Sequence, residues 1–247
     1  MSITFYTTST LSDIQKIQSD CIKKFFPESK HVVINGTSDW FNVWYRWIDI
    51  ADNIESDWHI HIDEDCFLTS REEILNLIEE MKLHDYDIAG PPDGGYKYRS
   101  ANHMALNSFF MVLNNRAIDA WQNRKYVPQF KKSWIKEYPF KKGNDSHFEY
   151  NMEFGSSGKP LGEIWKPGTE PYYDFMWVLM DNDIKFKYLE PIFDPEFQTT
   201  NLLNGSIFHM WYQRDRNSEQ IVSTAHTMSN KDRYDGMLNK ISKIIYE

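Results

Sequence analysis

The chain has 247 residues, which suits one large α/β domain, and its 41% hydrophobic and 16% aromatic content supplies ample material for a core. The net charge of −9 argues against a duplex nucleic acid as partner, because such binding normally requires a basic face. The two cysteines, Cys21 and Cys66, provide neither a disulfide framework nor a zinc-binding spacing. They predict a reduced, intracellular protein in which both thiols pack in the interior.

The sequence also lacks signals for export or membrane insertion. Residues 1–7 contain no basic segment and no long apolar run, so they do not resemble a signal peptide. No stretch approaches the ~20 apolar residues that a membrane span needs. We therefore expect a soluble, cytoplasmic protein, and the sequence carries no signal for an oligomeric state.

The first half of the chain alternates strands with helices. Hydrophobic patterns predict strands at 3–6, 31–34, 58–62 and 86–90 and helices at 11–26 and 41–54. Ser12 is the predicted cap of the first helix, and Ser70-Arg71-Glu72-Glu73 is a predicted capping box for a third helix. This alternation predicts an α/β fold with a mostly parallel sheet and helices on both faces.

The second half is less regular. It contains predicted strands at 108–113, 185–193 and 206–212, and predicted helices at 115–122, 172–180 and 231–246. Residues 143–171 are rich in glycine, proline and polar groups, which in a compact domain indicates a functional loop, and residues 143–168 are predicted to close over the bound donor and acceptor. We find no internal repeat and no domain boundary, so residues 1–247 are predicted to form a single domain.

Two carboxylates follow the third predicted strand directly. Asp63 and Asp65 lie two residues apart, at the end of a strand where open α/β sheets bind their ligands. Such a pair can project the same way and share a hard divalent cation such as Mg²⁺ or Mn²⁺. An Asp-x-Asp pair alone is a weak signal, since solvated acidic turns are common.

The wider segment makes the signal more specific. Ile60-His61-Ile62-Asp63-Glu64-Asp65-Cys66-Phe67 resembles the Asp-x-Asp segment of GT-A fold glycosyltransferases. This resemblance covers roughly the first 115 residues. It implies a GT-A, Rossmann-like sheet with a nucleotide-sugar-binding half at 1–115 and an irregular acceptor-binding half at 116–247 that ends in a helix. The implied activity, in carbohydrate biosynthesis, is metal-dependent transfer of a sugar from a nucleotide-diphosphate donor to a carbohydrate acceptor.

The same resemblance assigns binding roles to particular residues. Asp65 would be the principal ligand of Mn²⁺ or Mg²⁺, and Asp63 would contact the metal through water or contact the ribose. Late in the chain, His209 matches the further metal ligand that many GT-A enzymes carry, while a strand histidine satisfied by ordinary hydrogen bonds is an equal alternative. The nucleotide contacts implied for a UDP-sugar, with GDP as the alternative nucleotide, are Thr7, Thr8, Asp39, Trp40, Asp63 and Asp65.

A general base is required if the transfer inverts configuration. The segment Glu170-Pro171-Tyr172-Tyr173-Asp174 stands where inverting relatives place a carboxylate, which makes Asp174 the first candidate and Glu170 the second. Acidic residues are also favoured in a first helical turn for reasons of the helix dipole alone. The His-x-x-Gly-x-x-Lys-Pro-Trp signature of some retaining relatives is absent, which favours inversion.

Two other functions compete with this one. His59, His61 and Asp63 alternate along a strand and have the ligand types of a metal-dependent hydrolase. A sugar-nucleotide-binding module without turnover would also keep the fold. Metal-dependent nucleotide binding would identify the transferase, zinc content the hydrolase, and absence of turnover the binding module.

Overall fold

In the computed structural model, the described residues are 1–10, 12–36, 40–94, 102–134, 136, 140, 170, 172–211, 215–221 and 226–247, with only the backbone described at 40–44 and 132. The strands are β1 Ile3–Ser9, β2 Lys30–Asn35, β3 Trp58–Ile62, β4 Cys66–Leu68, β5 Ile88–Gly90, β6 Phe110–Asn114, β7 Phe186–Tyr188, β8 Ile192–Asp194, β9 Thr199–Leu202 and β10 Ile207–His209. The helices are α1 Asp13–Phe25, α2 Trp40–Ala51, α3 Glu72–His84, α4 Asn115–Gln122, α5 Tyr173–Asp181 and α6 Asn230–Tyr246.

Six strands of the described residues form one mixed sheet in the order β2-β1-β3-β6-β5-β7. β1 pairs in parallel with both β2 and β3, and β5 pairs in parallel with β7. Only β6 runs the other way, antiparallel to β3 and β5. The predicted α/β class with a mostly parallel sheet is therefore confirmed, and the C-terminal helix is present as predicted.

Apolar side chains cover both faces of this sheet. One hydrophobic cluster joins the sheet to α1, α3 and α6, and a second joins it to α2, α4 and α5. β3 shows how one strand serves both clusters, because successive side chains point to opposite faces. Ile60 and Ile62 belong to the first cluster, while His59 and His61 contact the rings of Tyr6 and Trp47 in the second.

A second sheet was not predicted. Four strands of the described part pair antiparallel in the order β4-β10-β9-β8. β4 begins immediately after Asp65, and its register places Cys66 opposite His209. The three-residue strand β4 is too short to show a pattern in the sequence. Its pairing nevertheless connects the Asp-x-Asp segment to β10, which lies some 140 residues later in the chain.

Of the two predicted helix N-terminal caps, one is confirmed and the other is wrong. Ser12 caps α1 as expected, since its side chain accepts a hydrogen bond from the backbone nitrogen of Gln15. The capping box predicted at Ser70 is wrong: Arg71 occupies the cap position in a helical conformation, and no side chain caps α3. β1 also continues beyond its predicted end at residue 6, because β2 pairs alongside as far as Ser9.

The two cysteines are free and buried. Within the described residues, no helix combines the length and apolar character needed to cross a lipid bilayer.

Candidate metal centre

The Asp-x-Asp segment is a tight turn between β3 and β4. The backbone nitrogen of Cys66 donates to the carbonyl of Asp63 at 3.0 Å, which closes the turn. The backbone nitrogen of Asp63 donates to the carbonyl of Phe109 at 2.9 Å, and the buried side chain of Gln18 donates to the Asp63 carbonyl at 3.3 Å. Contacts from two other parts of the chain therefore fix the backbone that carries both carboxylates.

The structure brings the three predicted metal ligands together. Asp63, Asp65 and His209 each offer one ligand atom, and these atoms lie within 4.8 Å of one another. Nε2 of His209 is 3.3 Å from Oδ1 of Asp65. Among the described residues, this is the one group of three or more histidine, cysteine or acidic side chains that is so arranged. Asp65 and His209 are buried, while Asp63 is partly exposed, so the cluster opens to solvent on the Asp63 side.

The electrostatics of the two carboxylates differ. Burial, together with the neighbouring charges of Asp65 and Glu64, raises the pKa of Asp63 to about 8. Burial also opposes ionisation of Asp65, but the His209 ring and a hydrogen bond from Tyr234 outweigh it and hold the pKa of Asp65 below its ordinary value. Asp65 is thus an ionised acceptor, whereas Asp63 retains its proton more readily, because a second negative charge beside Asp65 is unfavourable.

A divalent cation fits these groups. Two carboxylates and an imidazole form a donor set that binds Mn²⁺ readily. The carboxylate oxygens of the same set suit Mg²⁺. A cation between the carboxylates would relieve the repulsion that raises the pKa of Asp63. Nε2 of His209 is the ring nitrogen that lies towards Asp65, while its buried Nδ1 has no hydrogen-bond partner among the described residues.

Glu64, the middle residue of the segment, has a different position. Its carboxylate accepts hydrogen bonds from the side chains of Ser9, Thr10 and Ser12 and from the backbone nitrogen of Thr10. It thereby ties the turn to the connection between β1 and α1. The sequence analysis missed this role, although the run of hydroxyl residues at 7–10 and 12 was a signal for it.

The predicted nucleotide-binding residues differ in their burial and in how much of each the structure describes. Thr7 is fully buried, and its hydroxyl contacts Gln18 and His31 inside the fold. Thr8 is partly exposed, and its buried hydroxyl oxygen has no partner in the described part of the chain. Asp39 lies outside the described residues, and Trp40 begins α2 with only its backbone described. The predicted closing loop at 143–168 also lies outside the described residues.

The predicted bases do not join the metal cluster. Asp174 lies in the first turn of α5, in the helix layer on the second face of the sheet, and its charge acts on Tyr45 of α2. Burial raises the pKa of Asp174. The backbone carbonyl of Glu170 accepts from the nitrogen of Tyr173 at 3.1 Å, just before the same helix.

The β3 histidines are bound within the fold. Nε2 of His59 donates to Oδ1 of Asn115 at 2.8 Å, so Nδ1 is left to accept from the Tyr6 hydroxyl at 2.9 Å. Nδ1 of His61 donates to the carbonyl of Ser108 at 2.7 Å. Burial lowers the pKa of both rings, that of His61 to about 4. These contacts give both rings packing roles, and burial keeps them neutral.

Two residues near the cluster escaped the sequence analysis. Tyr234 of α6 donates its hydroxyl to Oδ2 of Asp65, although the sequence indicated only an apolar helix position. Arg216 forms an ion pair with Asp13 at 2.6 Å, and its charge slightly opposes the rise that burial causes in the pKa of Tyr234. Its buried NH1 has no partner among the described residues.

Comparisons with known proteins give only weak likenesses. No family model matches the chain, and no curated protein matches it. Among solved structures, a glycosyltransferase involved in the glycosylation of the major capsid of PBCV-1 is 9% identical with a TM-score of 0.39, over 53% of this chain and 71% of that one. Mouse xyloside xylosyltransferase 1 is 11% identical with a TM-score of 0.39, over 76% of this chain and 84% of that one.

A third solved structure is S. aureus TarS 1–349 in complex with UDP-GlcNAc. It is 12% identical with a TM-score of 0.34 over 52% of this chain, which spans about half of that protein's length, 49%. These low scores and identities establish neither a family nor an activity for the chain.

Proposed function

We propose that the chain is a metal-dependent glycosyltransferase that moves a sugar from a nucleotide-diphosphate donor, with UDP as the nucleotide, to a hydroxyl of a carbohydrate acceptor. The observation that carries the proposal is the cluster of Asp63, Asp65 and His209 within 4.8 Å. It lies at the carboxyl end of β3, a central strand, which is where open α/β sheets bind nucleotides. The Asp-x-Asp resemblance of the sequence agrees with this placement.

Each residue of the cluster has a distinct task in this proposal. Asp65, ionised and buried, and His209 hold the cation from the protein side, while Asp63 faces the open side where the donor enters. A bound Mn²⁺ or Mg²⁺ supplies positive charge against the leaving nucleoside diphosphate. Arg216 adds a guanidinium whose NH1 is unpaired among the described residues, which suits a phosphate oxygen. Thr8 offers its hydroxyl to the nucleotide.

The proposal also assigns the acceptor side of the reaction. Residues 1–115 form the nucleotide-sugar half and 116–247 the acceptor half of one domain. For inverting transfer, Asp174 takes the proton from the acceptor hydroxyl as its oxygen attacks the anomeric carbon, and Glu170 is the second candidate. The raised pKa of Asp174 suits a group that accepts a proton.

The competing functions differ in their support. A hydrolase using His59, His61 and Asp63 would need the two rings to turn from their hydrogen bonds with Tyr6, Asn115 and Ser108. A binding module without turnover would keep the same metal cluster. It is therefore the alternative that the experiment must separate.

The test is calorimetric titration of UDP and GDP into the protein, with and without Mn²⁺. We expect UDP binding that requires Mn²⁺ and disappears in Asp65→Asn. The matched control is Asp57→Asn, the same substitution at an exposed carboxylate at the opposite end of β3. If neither nucleotide binds in Mn²⁺, the proposal is wrong. Nucleotide binding without release of UDP from any UDP-sugar, with or without sugar acceptors, would favour the binding module.

A further inference from the structure

Three successive backbone carbonyls at the end of β10 each accept a hydrogen bond from a side chain. Thr199 donates to the carbonyl of His209, Arg233 donates to that of Met210 at 2.6 Å, and Tyr234 donates to that of Trp211 at 3.1 Å. Arg233 and Tyr234 are neighbours on α6. The C-terminal helix therefore fixes the backbone that carries the candidate ligand His209.

Arg233 is fully buried and joins two segments. Its guanidinium also donates to the carbonyls of Phe197 and Gln198, before β9, and to the side chain of Asn230. Burying a cation costs free energy unless hydrogen bonds compensate it. Here several carbonyl oxygens do so, and the result is a fixed distance between α6, the start of β9 and the end of β10.

Tyr234 contacts the carboxylate as well as the backbone. Its hydroxyl oxygen is 3.1 Å from Oδ2 of Asp65 and 3.1 Å from the carbonyl of Trp211, so one hydrogen serves two acceptors. The other oxygen of Asp65, Oδ1, is the one that faces Nε2 of His209, at 3.3 Å. The two oxygens of Asp65 are thus divided between the helix and the candidate metal position.

Two aromatic rings pack against the ring of His209. Phe109 stacks on it with centroids 4.2 Å apart and planes inclined by 17°, and Trp211 lies 4.2 Å away on a tilted plane. Trp211 has a φ of +60°, a strained left-handed conformation that persists only where the surroundings impose it. The bond from Tyr234 to its carbonyl and the bond from its indole nitrogen to Thr200 at 2.8 Å impose it here.

We propose that Arg233 and Tyr234 are positioning residues for the divalent cation: they hold His209 in place and leave Asp65 to bind the metal through Oδ1 alone. This inference rests on the proposed function, since it assumes the same metal centre. Neither residue touches the cation. Groups that orient ligands in this way typically change metal affinity by 10- to 100-fold when they are lost.

The decisive variant is Tyr234→Phe, which removes one hydroxyl and keeps the ring in the core. Its matched control is Tyr246→Phe on the same helix, where the exposed hydroxyl donates to Asp20. The measurement is the Kd of Mn²⁺ without nucleotide, obtained from the electron paramagnetic resonance signal of free Mn²⁺. We expect Tyr234→Phe to weaken Mn²⁺ binding by about 10- to 100-fold and Tyr246→Phe to match the wild type.

A second readout separates positioning from general destabilisation. The visible absorption bands of the Co²⁺-loaded protein report the geometry of the ligands, and we expect them to shift in Tyr234→Phe but not in Tyr246→Phe. Circular dichroism confirms that each variant is folded. If Tyr234→Phe does not fold, Arg233→Lys, which keeps the charge but loses the planar fork, replaces it with the same expected weakening.

The outcomes distinguish this inference from the proposed function. If the wild type binds Mn²⁺ and folded Tyr234→Phe binds it equally with unchanged Co²⁺ bands, the positioning role is overturned and the glycosyltransferase proposal stands. If the wild type binds no Mn²⁺ even with UDP, the metal centre fails and the inference falls with it.

Discussion

His61 and His209 are both buried on strands, but their surroundings differ. His61 packs against Trp47 with ring centroids 5.0 Å apart and donates to a backbone carbonyl. His209 lies 3.3 Å from a carboxylate oxygen and within reach of a second carboxylate. A histidine buried among aromatic rings is held neutral, whereas one buried beside carboxylates has the neighbours that a ligand set requires. Burial alone therefore does not identify a metal ligand.

The strongest test of this comparison replaces each of the two histidines with glutamine. We expect His209→Gln to weaken Mn²⁺ binding by roughly 100-fold or more, because a ligand should matter at least as much as the groups that orient it. His61→Gln should bind Mn²⁺ as the wild type does. Calorimetry of Mn²⁺ binding to both variants checks this. Equal losses in the two variants would contradict the distinction between them.

The structural role of His61 is tested by stability. His61→Ala removes a fully buried ring and its hydrogen bond, so we expect a loss of about 3 kcal/mol in the free energy of unfolding. Urea unfolding followed by circular dichroism measures it. His84→Ala, at an exposed position in the last turn of α3, is the control and should change little. A stable His61→Ala protein with impaired metal binding would instead support the hydrolase alternative.

The neutral histidines also predict a dependence of stability on pH. Burial lowers the pKa of His31 and of His61 to about 4, below the ordinary value of 6.5. Between these values the unfolded chain binds protons at these two histidines that the folded chain does not, so their contribution to the free energy of unfolding falls as the pH decreases from 6.5 towards 4. Well above pH 6.5, where both histidines are neutral in the unfolded chain too, they contribute no slope.

Urea unfolding at a series of pH values from 7.5 to 5 measures this slope. His31→Gln should make the slope of unfolding free energy against pH less steep, and the exposed control His84→Gln should leave that slope unchanged. A slope that His31→Gln does not alter would show that other groups cause the loss at low pH.

The smallest expected effect concerns Glu64. It lies between the two aspartates, yet its carboxylate accepts hydrogen bonds from the hydroxyl groups of Ser9, Thr10 and Ser12. Like His61, it is therefore bound within the fold. We expect Glu64→Gln to destabilise the protein by about 1 kcal/mol, because charge-assisted hydrogen bonds at a partly exposed site become neutral ones. Mn²⁺ binding should stay close to that of the wild type. A loss as large as that of Asp65→Asn would make Glu64 a ligand.

The sequence predicted the parts of the fold that have a local period. β3 and α4 match their predicted bounds, and the position of Asp63 and Asp65 at the end of a buried strand followed from the pattern of 58–62. The pairing of β4 with β10 could not be predicted, because three-residue strands show no periodicity and the partners are far apart in sequence. His209 was predicted as a ligand only through the family resemblance.

The role of Tyr234 was hidden for a related reason. In the sequence, its spacing fits the apolar stripe of an amphipathic helix, and its ring does pack in the first hydrophobic cluster. Only the position of its hydroxyl against Asp65 reveals a polar task. Conversely, Asp174 was predicted as a base from its place at the start of a helix, and it stays a prediction: the structure places it in the first turn of α5, where its charge acts on Tyr45, and outside the group of Asp63, Asp65 and His209.

The contact between Tyr234 and Asp65 joins residues 169 positions apart. Contacts of such long range close slowly, since the chain between them must first lose its freedom. The ribosome completes β1, β3 and the Asp-x-Asp turn well before it adds the residues of α6. The proposed metal affinity is therefore expected to be among the last properties that a newly made chain acquires, and among the first that it loses when its C-terminal helix detaches.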